Sequence, residues 1–134
     1  MKSLAFRRAA VLAYCIGIFC LSARRGFPDI MPWYPAWMPD YHLFAHFFLY
    51  AGLSFVVWID FRGETIRWLQ RRAMAATVIF CAVYGLTDEF HQTFVPNRVF
   101  ELADLLMDTL GPAAVMIAIA LWRGRDGPGV KDGT

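Results

Sequence analysis

The residues that could do chemistry in this sequence sit at the ends of apolar runs. Asp88 and Glu89 close one such run, and Glu101, Asp104 and Asp108 lead into another. Carboxylates crowded in a low dielectric share protons, and one of them can then serve as a general acid or base. His42, His46 and Tyr50 recur every fourth residue, so on a helix they share one face. Two His at that spacing can ligate a divalent metal together with Asp88, Asp104 and Asp108, or donate hydrogen bonds to those acids. The hydrogen-bonding reading is preferred, because HxxxH without a fixed third ligand is a weak metal signature. Tyr84, Asp88 and Gln92 form a second stripe at steps of four, with Glu89 one residue round. Glu101, Asp104, Asp108 and Gly111 form a third, at steps of three and four. Arg98, the only Arg between these two stripes, can pair with an acid or grip an anionic ligand in bidentate fashion. The candidate ligand-binding set is therefore His42, His46, Tyr50, Tyr84, Asp88, Glu89, Gln92, Arg98, Asp104 and Asp108. For a reaction, Asp88 or Glu89 would act with His46. No cofactor is expected.

Such side chains need an apolar frame to hold them. The chain is 58% hydrophobic with a mean hydropathy of +0.43, and its 18% charged residues fall below the roughly 25% of soluble domains. Residues 9–23, 41–59, 73–87 and 109–122 contain no Asp, Glu, Lys or Arg. A membrane span takes about 20 mostly apolar residues. The runs therefore predict an all-α polytopic membrane protein, a bundle of four transmembrane helices, and fit a soluble bundle with a greasy core less well. One domain is expected over residues 1–123, followed by a Gly-rich, disordered cytoplasmic tail over 124–134. Of the 13 Lys and Arg, all but Arg24, Arg25 and Arg98 fall before residue 9, in the 60–72 loop or after residue 122. Basic residues mark the cytoplasmic side, so both termini are expected inside and two loops outside.

The last two apolar runs are short. Their 15 and 14 residues give roughly 22 and 21 Å at 1.5 Å per residue, against a hydrocarbon core of about 30 Å. Arg closes their inner ends, so the shortfall lies at the acidic ends. A lipid-facing carboxylate costs about 2.5–3.5 kcal/mol at mid-membrane, whereas mismatch costs fractions of a kcal/mol per Å. A polar cleft in the outward half, lined by the acids, removes the larger cost. Gly111 allows a neighbouring helix to approach closely. Pro112 cannot donate to the Asp108 carbonyl, which predicts a kink. In the 24–40 loop, Pro28, Pro32, Pro35 and Pro39 forbid a long helix, and Trp33, Tyr34 and Trp37 read as an interfacial anchor. The 60–72 loop reads as an amphipathic surface segment carrying Ile66 and Leu69. Cys15, Cys20 and Cys81 lie inside apolar runs and read as free small hydrophobes. The signal-like N-terminus reads as a retained first helix.

Three segments carry a family resemblance: HFFLY at 46–50, YGLTDEFHQTFVPNR at 84–98 and DLLMDTLG at 104–111. They resemble the VanZ-like family of small bacterial membrane proteins, with its His-Phe then Tyr, its Asp-Glu-x-x-Gln followed by Phe-x-Pro-x-Arg, and its Asp, Asn or Asp, Gly pattern. The family often has Asp-Lys where this chain has His42 and Leu43, and usually Asn where it has Asp108. The first change removes a counter-charge from the cleft and the second adds an acid. The resemblance implies a multi-pass protein of the bacterial cytoplasmic membrane, in contact with membrane lipids and not with nucleic acid. It also implies a setting near cell-wall precursors, since the family is named for a protein linked to teicoplanin susceptibility. Binding or remodelling of a lipid-linked envelope ligand is the favoured function. A membrane-embedded enzyme using the carboxylate and His cluster comes second, and a purely structural ion-pair network and a transporter rank below it.

Overall fold

The computed structural model describes residues 4–23, 41–96 and 98–125. These form five helices in the order α1 (Leu4–Ser22), α2 (Tyr41–Arg62), α3 (Arg67–Arg71), α4 (Ala73–Gln92) and α5 (Leu102–Arg125). All but α3 are long and apolar enough to cross a membrane. The chain is thus an all-helical, multi-pass membrane protein. The expected anchor at Trp33, Tyr34 and Trp37 lies outside the described residues. Of the expected tail, Gly124 and Arg125 are instead the last residues of α5, and the remainder lies outside the described residues.

The two short runs are completed by their own acids. Helix α4 continues past Thr87 through Asp88 and Glu89 to Gln92, 20 residues in all, and α5 begins at Leu102 and runs for 24. At 1.5 Å per residue these are roughly 30 and 36 Å, enough for the hydrocarbon core. The carboxylates are therefore helical residues within the spans, not loop residues beyond them. Helix α5 continues through Pro112 as a single element.

Packing is centred on α2, which touches α1, α3, α4 and α5, and α5 most extensively. Gly111 explains that contact. A Cβ there would collide with the Phe47 carbonyl oxygen and lie 3.2 Å from the Ala51 backbone nitrogen, so only a residue without a side chain lets the two backbones meet. Ile18, Tyr50, Leu53, Val57 and Cys81 form one apolar core, and Trp58, Ala73 and Met116 a second, nearer the basic end. Phe48, Ile79, Val83, Phe90, Leu106, Leu110, Ile117 and Leu121 are exposed. Apolar residues outside and polar ones inside is the arrangement a lipid solvent favours. The free cysteines are spread over both environments, with Cys81 buried, Cys15 half-buried and Cys20 exposed.

The basic end is tied together by α1. Arg8 donates to Glu64 Oε1 at 2.6 Å, and Arg7 donates to the Gly63 carbonyl at 2.8 Å and lies 3.5 Å from Asp60. The Arg8 hydrogen bond holds the Glu64 carboxyl below the usual glutamate range. In the connecting segment, Ile66 and Trp68 are exposed on either side of the start of α3.

Candidate functional site

The opposite end of the bundle is polar inside. Each helix that crosses it contributes from its terminal turns: Ser22 from α1, His42 and His46 from α2, Asp88, Glu89 and Gln92 from α4, Asp104 and Asp108 from α5. Glu89 and Asp108 are fully buried, and Asp88, Gln92 and Asp104 are at most 3% exposed. The expected open cleft is instead a packed centre at these carboxylates. Its half-buried members are His42 and Arg98.

The His stripe of α2 meets the acid stripe of α5. His42 Nδ1 lies 3.1 Å from Asp104 Oδ2, and His46 Nδ1 lies 2.9 Å from Asp108 Oδ1. His46 Nε2 points to Asp104 Oδ2 at 3.6 Å. Both nitrogens of His46 thus face carboxylate oxygens. A doubly protonated ring is held between two negative charges, whereas a neutral ring sets a lone pair against one of them. Arg98 Nη1 makes a short hydrogen bond to His42 Nε2. A guanidinium only donates, so His42 accepts at Nε2 and donates from Nδ1 to Asp104. Within the chain Arg98 is thus hydrogen-bonded to a His and not to one of the acids.

A second branch runs through α4. Gln92 Nε2 donates to Glu89 Oε1 at 2.9 Å and to Asp88 Oδ2 at 3.3 Å. Glu89 Oε2 accepts the backbone N–H of Glu101 at 3.0 Å, just ahead of α5. A helix start has N–H groups without an intrahelical partner, and a carboxylate there also meets the favourable end of the helix dipole. Ser22 donates to Asp88 Oδ1 at 2.6 Å and joins α1 to the centre. Tyr84 does not enter this network: its hydroxyl donates to the Cys15 carbonyl at 2.6 Å. Tyr50 packs its ring 6.3 Å from that of His46.

Glu101 departs from the third stripe. Its side chain is exposed, because it precedes the first turn of α5, and its contribution to the centre is its backbone N–H. Ser22 and Gly85 escaped the sequence reading. A lone Ser at the end of an apolar helix reads as a terminus, yet it carries Asp88. A Cβ at Gly85 would sit 2.7 Å from Asp108 Oδ2, so glycine makes the room that Asp108 occupies. Only the partner across the interface reveals that role.

The centre has more acceptors than donors. Four buried carboxylates face one guanidinium and two imidazoles. Among the described residues, Asp104 Oδ1, Asp108 Oδ2, the Tyr50 hydroxyl and Arg98 Nε are buried without a hydrogen-bond partner. Two triads place one ligand atom per residue within 4.8 Å of one another: His42, His46 and Asp104, and His46, Glu89 and Asp108. Mixed imidazole and carboxylate donors suit a divalent ion such as zinc or manganese. Asp88, named with the metal candidates from sequence, belongs to neither triad and is engaged by Ser22 and Gln92.

Fold and site together define a small multi-pass membrane protein with a buried ionisable centre at one end. The chain belongs to the VanZ/LLP1 family, whose pattern it matches over residues 30–123. It is also similar to an uncharacterized protein of the fission yeast Schizosaccharomyces pombe, at 31% identity over 119 residues, covering 88% of this chain and 67% of that protein. No solved structure matches.

Proposed function

We propose that the buried centre binds and remodels the anionic headgroup of a lipid-linked ligand of the cell envelope, using acid–base chemistry. The observation that carries this reading is His46 between Asp104 and Asp108, each of which keeps one buried oxygen without a partner among the described residues. Buried polar atoms in a network that only fixes packing are almost always satisfied, because an unpaired one is costly. Two carboxylates left partly free around an imidazole are suited to taking and returning a proton, and the same oxygens are available to a divalent ion.

Arg98 and His42 form the rim of this centre. These half-buried groups are the part of the centre an anion can reach, and a guanidinium matches a phosphate or carboxylate in geometry and charge. The resemblance to the VanZ-like family supports the outer face of a bacterial cytoplasmic membrane as the setting and a cell-wall precursor as the ligand, the step at which teicoplanin susceptibility would change. A purely binding role is favoured by one feature, the half-buried Arg98 and His42 pair, which can hold an anion without any proton transfer.

The test uses purified protein in lipid nanodiscs with polyprenyl-linked precursors. Native mass spectrometry reads which headgroup is retained, and product analysis reads conversion, each with and without added divalent ions. Glu89→Gln and Asp104→Asn keep the shape of the centre and remove one acid. We expect conversion to fall about a hundredfold or more in both, the usual scale of a lost acid or base, with retention of the precursor largely kept. Retention without conversion by the wild type supports the binding role. Normal insertion and undiminished conversion in both variants would falsify a catalytic role for these carboxylates.

A further inference from the structure

At the basic end, far along the bundle from the acidic centre, α2, α3, α4 and α5 line an open pocket of about 310 Å³. Arg62, Arg71 and Arg123 line it together with Trp58 and Gln70. We propose that this pocket holds the phosphate of an anionic phospholipid headgroup.

Charge is the first argument. The two acids of the 60–72 segment, Asp60 and Glu64, are engaged by Arg7 and Arg8. Among the described residues, Arg62, Arg71 and Arg123 have no carboxylate partner, and all three line this one pocket. Arg forks match phosphate oxygens in geometry as well as charge. The second argument is a donor that lacks an acceptor. Trp58 is 8% exposed and its indole Nε1 is buried without a hydrogen-bond partner among the described residues, although an indole N–H usually finds one when buried. Trp58 also organises the cations: Arg62 lies 4.7 Å and Arg123 6.0 Å from its ring centre. Gln70 donates to the Arg62 carbonyl at 3.2 Å and joins α3 to the end of α2.

Position selects a lipid over a soluble anion. The pocket opens where the spans end, and exposed Trp68 and Trp122 mark the same level, as aromatic residues do at headgroup depth. Basic pockets between spans on that side of a membrane are suited to anionic headgroups.

Delipidated full-length protein in detergent is offered equal phosphatidylglycerol and phosphatidylcholine, and bound lipid is read by native mass spectrometry. We expect selective retention of phosphatidylglycerol. Arg71→Gln with Arg123→Gln should weaken that retention, by about fivefold for each Arg lost, while Arg67→Gln with Arg125→Gln, the same charge removed outside the lining, leaves it in place. Trp58→Phe keeps an aromatic ring and removes the N–H. It should lower phosphatidylglycerol retention without changing that of phosphatidylcholine, and it reads the site even where the double Arg variant fails to fold. Equal retention of both lipids by the wild type, or no difference between the lining and control variants, overturns the proposal. Displacement of the lipid by millimolar inorganic phosphate overturns it in favour of a soluble anion.

Discussion

Glu64 and Glu89 are the same side chain put to different uses. Glu89 is buried inside the bundle and held by Gln92 and a backbone N–H. Glu64 sits between α2 and α3, where Arg8 of α1 bonds it at 2.6 Å and lowers its pKa. A carboxyl whose folded pKa is depressed contributes stability above its unfolded pKa and loses it as pH falls through the folded value. The Arg8–Glu64 contact should therefore be at full strength at neutral pH and vanish in acid below the ordinary glutamate range. Thermal melts in detergent check this. Wild type should exceed Glu64→Gln at neutral pH, and the two curves should converge as the pH drops. A constant gap at all pH values would mean that Glu64 acts through shape and not through charge.

At the scale of elements, the contact between α2 and α5 sets everything the acidic centre does, because it brings His42 and His46 to Asp104 and Asp108. Gly111 permits it. In Gly111→Ala the new methyl meets backbone of α2, which cannot rotate away. We expect a loss of about 1–3 kcal/mol, the usual scale of overpacking. Gly17→Ala is the contrast: a Cβ there meets nothing within 4 Å, so helix propensity alone should stabilise it by about 0.5–1 kcal/mol. Denaturant titration of both variants in mixed micelles reads the difference.

The same contact separates what was legible in the sequence from what was not. Spacing alone aligned His42 with His46 and Asp104 with Asp108, because helical periodicity fixes which side chains share a face. The spans followed from charge-free runs. The same periodicity carried Asp88, Gln92, Asp104 and Asp108 into their helices, but it also counted Glu101, which lies just ahead of α5, because spacing does not mark where a helix begins. Nor could it show the centre closed, because burial depends on how α1 and α4 lean over the α2–α5 pair. Ser22, Gly85 and the Arg98–His42 contact were hidden for the same reason: each has meaning only beside a residue far away in the chain.

At the scale of the molecule, the bundle is polarised along its axis. One end gathers four buried carboxylates, the other gathers Arg7, Arg8, Arg62, Arg71 and Arg123 around two acids. Basic residues near span ends are retained in the cytoplasm, whereas acids weigh little in that choice. On that rule we predict that the 60–72 segment faces the cytoplasm and the α4–α5 turn the exterior. Thr65 and Val99 are exposed on these two segments, so single cysteines there report the sides. With Cys15, Cys20 and Cys81 replaced by Ala, a membrane-impermeant thiol reagent should label Val99→Cys on intact cells and Thr65→Cys only after permeabilisation. The reverse pattern would leave the four-span fold standing and turn the His–carboxylate centre towards the cytoplasm. A ligand displayed on the outer surface could then not reach it, and the envelope reading would fail while the chemistry of the centre stayed as it is.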